Sequence, residues 1–140
     1  MCWHDDSAKA EMYLHQDVTG IVIGCFYKVY NALGFGFFEH VYVNALMLEL
    51  VKHDLKAVKS QHVYVYYDNH VVGDFIADII INDAVIIDVK TAPEYLRSHE
   101  ARIINHLKAS GKPVGILLNF GRKAEFKRLA NYKRERDNEL

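Results

Sequence analysis

Apolar residues recur at helical spacing through Ile21, Cys25, Phe26, Val29 and Leu33, which predicts an amphipathic helix over "GIVIGCFYKVYNAL". Asp17 or Thr19 can cap its start, and Gly34 closes it. After a "GFGF" turn, a second helix is predicted from about Phe37 to His53. Val41, Ala45, Leu48 and Val51 lie on one side of it, with Tyr42, Leu46 and Leu50 nearby. It is apolar nearly all round and is expected to be well buried. The period then changes to two. "HVYVYY" alternates up to Asp68-Asn69, a two-residue turn that tolerates positive φ. "VVGDFIADIII" returns, and "AVIIDVK" follows. Beyond "TAPEYLRS" a third helix is expected over His99 to Ser110, with Ser98 as cap and Gly111-Lys112-Pro113 as stop. "VGILLNF" suits a short buried strand, and "KAEFKRLANYKRER" reads as a final helix or ragged tail. The order α-α-β-β-β-α-β-(α) predicts an α/β fold with one mixed sheet flanked by helices. The crossover helix makes the last strand parallel to one of the meander.

Composition narrows the chemistry. The 140 residues suit one domain, with the first 16 and about 130–140 expected to be peripheral. Hydrophobic residues at 51% and charged ones at 25% argue against disorder. The two cysteines, Cys2 and Cys25, form no C-x-x-C pair, so neither a zinc ribbon nor a cysteine-bound iron–sulfur cluster is expected. Cys25 reads as a small core residue. No apolar run approaches the ~20 residues that span a bilayer, and the first residues do not resemble a signal peptide. A reducing cytoplasm is the expected setting. Between Arg122 and Leu140, seven basic residues against four acidic ones leave +3 in a chain of net charge −1. A basic end of this kind either lies along phosphates or forms a solvated helix face.

Asp78, Asp88 and Lys90 interrupt segments otherwise made of Ile, Val, Phe and Ala. Asp88 and Lys90 point the same way along a strand. The direction of Asp78 depends on the turn. A two-residue loop, Asn82-Asp83, would set Asp78 opposite Ile87. A three-residue loop, Asn82-Asp83-Ala84, would pair 81 with 85, 80 with 86, 79 with 87, and Asp78 with Asp88. Two carboxylates opposed in an apolar sheet need compensation. Lys90 is one candidate and a divalent cation is another. A metal clamp and a structural ion pair at a sheet edge both satisfy the spacing.

An Asp…(Asp/Glu)-x-Lys hairpin, after a helix carrying Glu and before a crossover helix, resembles the PD-(D/E)XK nuclease superfamily. "GFFEHVY", Gly36 to Tyr42, fits G-x-x-E-x-x-Y, the pattern of its GxxExxY branch. The similarity runs from about Asp17 to Leu129, with "HLKASG" and "LLNFG…EFKRL" included. The resemblance implies a restriction-endonuclease-like α-β-β-β-α-β core preceded by an extra helix. It further implies phosphodiester hydrolysis, in DNA, with Mg²⁺ or Mn²⁺, and a homodimer that cuts both strands. By the same resemblance Glu39, Asp78, Asp88 and Lys90 are catalytic. Asp78, Asp88, the Val89 carbonyl and Glu39 are metal ligands, and Lys90 activates water or stabilises phosphate charge. Relatives often carry Gln in "HEAQ", whereas this chain has "HEAR" with Arg102. That guanidinium can grip a phosphate, or pair with Asp88 and displace the metal.

Other residues add less. His99 and Lys108 are candidate phosphate contacts, each weighed against a plain surface role. Tyr42 reads as core packing with a hydroxyl contact. Tyr64, Tyr66 and Tyr67 either stack bases or simply form strand. No H-E-x-x-H motif or cysteine–histidine cluster is present. Two further functions stand beside hydrolysis. One is a catalytically silent nucleic-acid-binding or scaffold module, with Arg102 in place of the cation. The other is a dimerisation domain built on the "HVYVYY" strand.

Overall fold

The computed structural model describes residues 15–131. Of the flanks expected to be peripheral, residues 1–14 and 132–140 lie outside the described residues, and with them Lys133, Arg134 and Arg136 of the basic end. Helices α1 (Gln16–Leu33) and α2 (Glu39–Leu50) precede three strands, β1 (Ala57–Tyr67), β2 (His70–Ile81) and β3 (Val85–Lys90). A 3₁₀ turn, Arg97–Glu100, leads into α3 (Ala101–Ser110), followed by β4 (Val114–Phe120) and β5 (Ala124–Ala130). The sheet runs β1-β2-β3-β4-β5. It is antiparallel except for β3 and β4, which the α3 crossover makes parallel as expected.

α1 and α2 cover one face of the sheet. Val22, Phe26, Leu46 and Leu50 pack there against Ile79, Ile81, Ile87, Ile116 and Leu118. α3 covers the other face, setting Ile103 and Leu107 on Ile80, Ile86 and Leu117. It approaches closely because position 115 lacks a side chain. A Cβ there would stand 3.0 Å from both Ile103 and Leu107.

Several expectations need correction. α1 begins at Gln16 without a side-chain cap, so Asp17 and Thr19 sit inside its first turn, and the Thr19 hydroxyl donates to the Gln16 carbonyl instead. Ser98 is not a cap either, because the 3₁₀ turn already contains it. α2 is less buried than its composition suggests: Leu48 is 68% exposed, and Val51, in the turn beyond, is exposed too. The segment predicted as a final helix is β5 over its described part. Its Ala, Glu, Lys, Arg and Leu favour helix. The open edge of β4 overrides that preference and pairs all seven residues from Val114↔Ala130 to Phe120↔Ala124. Phe126 then packs towards α1 and Leu129 towards α3, on opposite faces as a strand requires.

The β2–β3 turn has the three-residue register, with Ile81↔Val85, Ile80↔Ile86 and Ile79↔Ile87. Asn82 and Asp83 both take positive φ, 52° and 56°. A second irregularity lies deeper. Phe75 and Ala77 of β2 pack on the α3 side, whereas Ile79 and Ile81 pack on the α1–α2 side. Strict alternation would put all four on one face. β1 changes sides in step, with Ala57 on the α1–α2 side and Val63 on the α3 side. The pairing stays in register from Lys59↔Ile79 to Gln61↔Ala77, so both strands roll over together. Ser60, at φ 58°, supplies the turn on β1. Asp78 occupies the matching position on β2.

Gly115→Val is expected to push α3 off the sheet and to destabilise the protein by about 1–3 kcal/mol. Urea unfolding followed by circular dichroism measures this, and an unchanged midpoint would contradict the close approach of α3.

Candidate functional site

The site forms where the β2–β3 ladder ends. Past Ile79↔Ile87 the strands exchange no further backbone pair, and the Asp78 carboxylate fills the gap. Its Oδ2 accepts the Val89 N–H at 2.8 Å. The Asp78 N–H points at Asp88 Oδ1, 3.5 Å away. The two acids therefore lie side by side. Asn119 fixes the far end of β3, accepting from the Ala92 N–H and donating to the Ala92 carbonyl, both at 3.0 Å.

α3 presents a basic group to each acid. Arg102 Nη2 donates to Asp78 Oδ1 at 3.2 Å and to the Ile76 carbonyl at 2.8 Å. One turn on, His106 Nδ1 lies 2.7 Å from Asp88 Oδ2, with both side chains 1% exposed. Despite that separation the pair is off the hydrogen-bond line, and neither atom has another hydrogen-bond partner. A protonated His106 ring there would attract the Asp88 carboxylate through charge rather than through a hydrogen bond. The spacing i, i+4 places both basic groups on the α3 face that also carries Ile103 and Leu107.

Glu39 enters from the opposite side of the sheet, on the first turn of α2. A loop held by Tyr42 positions it. The buried Tyr42 hydroxyl donates to the Gly34 carbonyl at 2.5 Å and accepts from the Phe37 N–H at 3.2 Å. Its ring stacks on Phe120, centroids 4.1 Å apart. Gly36 takes φ 123°, a conformation suited to glycine. The glycine, glutamate and tyrosine of "GFFEHVY" thus act together: the first shapes the loop, the last anchors it, and Glu39 is what they deliver.

The electrostatics are those of crowded acid groups. Burial raises the Glu39 pKa, Asp78 and Asp88 raise it further, and Arg102 and Lys90 oppose them. Burial also raises Asp78, against the Val89 N–H and Arg102, with Asp88 adding to the rise. Among the described residues neither the Glu39 nor the Lys90 side chain has a hydrogen bond or ion pair. Glu39, Asp78, Asp88, Lys90 and Arg102 thus form one electrostatic cluster. Two other expected contacts lie apart from it. The His99 ring accepts the Leu96 N–H at 3.0 Å and closes the 3₁₀ turn. Lys108 lines a groove of about 400 Å³ between the β1–β2 arm and α3. Arg102 contacts Asp78 rather than Asp88, whose basic neighbour is His106. The sequence signal for His106 was its place one turn after Arg102, on the apolar face of an amphipathic helix.

Among the described residues, no three histidine, cysteine, aspartate or glutamate side chains converge closely enough to hold a metal ion. No described helix is long and apolar enough to cross a membrane. A family model described as the PD-(D/E)XK nuclease superfamily matches residues 16–129. The crystal structure of SSO0001 is similar at a TM-score of 0.51 and 17% identity, over 71% of this chain and 55% of that one. No curated protein matches the sequence.

A carboxyl whose pKa is raised by folding costs stability above that pKa and regains it as pH falls through the raised value. Glu39→Gln is therefore expected to raise the melting midpoint at pH 7, with a gain that shrinks on acidification. Thermal melts across pH read this directly. His106→Ala is expected to cost roughly 3–5 kcal/mol, because it leaves the Asp88 carboxylate buried and uncompensated. In a double-mutant cycle, adding Asp88→Ala should cost far less than in the native background.

Proposed function

Since the chain belongs to the PD-(D/E)XK nuclease superfamily, we propose that it is a metal-dependent hydrolase of phosphodiester bonds in DNA, of the GxxExxY branch. The observation that carries this reading is the pair Asp78 and Asp88, side by side where the β2–β3 ladder ends, with Glu39 of α2 and Lys90 of β3 within electrostatic reach, in superfamily order. Nothing in the packing of a mixed sheet requires four charged groups there, and burial makes the fully buried Asp88 and the half-buried others costly.

The donor chemistry fits a hard divalent cation. Asp78, Asp88, Glu39 and the Val89 carbonyl offer only oxygen. Behind burial, Asp78 and Asp88 add to the raised proton affinity of Glu39, and Asp88 to that of Asp78, a sign of unneutralised negative charge. A bound Mg²⁺ or Mn²⁺ would supply Lewis-acid stabilisation of the phosphoryl oxygens. The protein's own residues supply the rest. Asp78 is locked by the Val89 N–H, so it cannot rotate freely. Asp88 is fixed by burial beside His106. Lys90 projects from the same strand face as Asp88, and its ammonium can donate to the attacking water or to a non-bridging phosphate oxygen.

One observation favours the second reading, a silent nucleic-acid-binding module. Each aspartate already has a basic neighbour on α3. Incubation of the purified protein with DNA and RNA forms in Mn²⁺ separates the two. Under the first reading, Asp78→Ala and Lys90→Ala each lower cleavage by at least about 10²-fold. Cleavage that persists in the double variant would assign the activity elsewhere. Absence of Mn²⁺ heat in calorimetry, with nucleic-acid binding insensitive to EDTA, would establish the silent module.

A further inference from the structure

The two basic groups on α3 are not equivalent. His106 is 1% exposed and wedged against an equally buried Asp88. Arg102 keeps 36% of its side chain in solvent, and its partner Asp78 keeps 18%. Both Arg102 hydrogen bonds leave from Nη2, one to Asp78 Oδ1 and one to the Ile76 carbonyl. The contact to Asp78 is therefore one-pronged, 3.2 Å long and solvent-accessible, which makes it weak and reversible. A guanidinium meets a phosphate better, through two parallel N–H donors.

We infer that Arg102 exchanges partners during substrate binding, leaving Asp78 for a backbone phosphate of the nucleic acid. This rests on the metal-dependent reading above. Arg102 and a divalent cation compete for Asp78 Oδ1, so the metal alone binds against the guanidinium. A phosphodiester that takes up the guanidinium removes the competitor. Metal and nucleic acid then bind with positive coupling, through one side chain that serves two alternative partners, and by linkage each tightens the other equally. The buried His106–Asp88 pair stays in place and keeps the second acid oriented throughout.

Mn²⁺ titration followed by electron paramagnetic resonance of the free ion tests this without turnover. A short phosphorothioate-linked DNA oligonucleotide is the probe, and its own Mn²⁺ uptake is subtracted. In the native protein the oligonucleotide is expected to tighten Mn²⁺ binding about tenfold, within the usual range of site-to-site coupling. In Arg102→Gln, Mn²⁺ alone is expected to bind about tenfold tighter than to the native protein, with little further gain from the oligonucleotide. Arg102→Lys keeps the charge but not the fork, and should fall between the two. If the glutamine variant fails to fold, the lysine variant decides: tighter Mn²⁺ binding than native supports the exchange, and equal binding overturns it. Native binding that ignores the oligonucleotide also overturns the exchange, as does a folded Arg102→Gln variant that binds Mn²⁺ no tighter than native. Either result leaves the metal site standing. No Mn²⁺ binding to the native protein or to any folded variant would instead remove the metal reading, and the exchange with it.

Discussion

A single side-chain bond closes the sheet where its backbone ladder gives out. β2 and β3 stop pairing after Ile79↔Ile87, and the Asp78 carboxylate takes the Val89 N–H that a continuing strand would have bonded. An unpaired backbone donor at that depth would be costly. Splaying of the strands would be unfavourable without Asp78. The residue best placed to hold the gap closed is thereby also held at its edge, beside Asp88. Structure and proposed chemistry meet in one carboxylate, and this explains why the site tolerates burial that would otherwise select against it.

The roll of the β1–β2 pair at Ser60 and Asp78 has a second effect. By changing faces in step, the two strands carry Phe75, Ala77 and Val63 over to the α3 side. There they help wall in the helix that bears Arg102 and His106. The Phe75 ring lies 5.7 Å from that of His106, near edge-on. Gly115 completes the arrangement from below, allowing α3 to sit close enough for both basic side chains to reach the acids. The charge balance of the site is thus set by backbone events at Ser60, Asp78 and Gly115.

Much of this was legible in the chain. The sequence allowed a two-residue or a three-residue loop at Asn82-Asp83, and the three-residue one gives the observed register and, with it, the approach of Asp78 and Asp88. The parallel pairing of β3 with β4 follows from the intervening helix. The G-x-x-E-x-x-Y pattern marks Glu39, although the part played by Tyr42 is visible only in its bonds to Gly34 and Phe37. Other features depend on contacts that no local pattern encodes. β5 has helix-forming residues and becomes a strand because β4 has a free edge. The roll at Ser60 rests on a left-handed serine, a conformation that the residue type does not announce. His106 looks like any histidine on an apolar helix face until the crossover sets that face above Asp88.

The acids at this site are arranged against the stability of the fold. Glu39 and Asp78 are harder to ionise than free carboxylates, first through burial and then through neighbouring acids. A domain under selection for stability alone would place Gln or an apolar residue at position 39, where the Tyr42-anchored loop already supplies the geometry. Arg102 offsets part of the repulsion, yet through a single nitrogen it shares with the Ile76 carbonyl. Lys90, on the same strand face as Asp88, makes no ion pair with any of the acids among the described residues. A purely structural network would pair these half-buried charges, since a partly desolvated charge left unpaired costs free energy. A half-exposed guanidinium on one acid, an uncommitted ammonium and an uncommitted glutamate are what the proposed site would leave open for a cation and a phosphate.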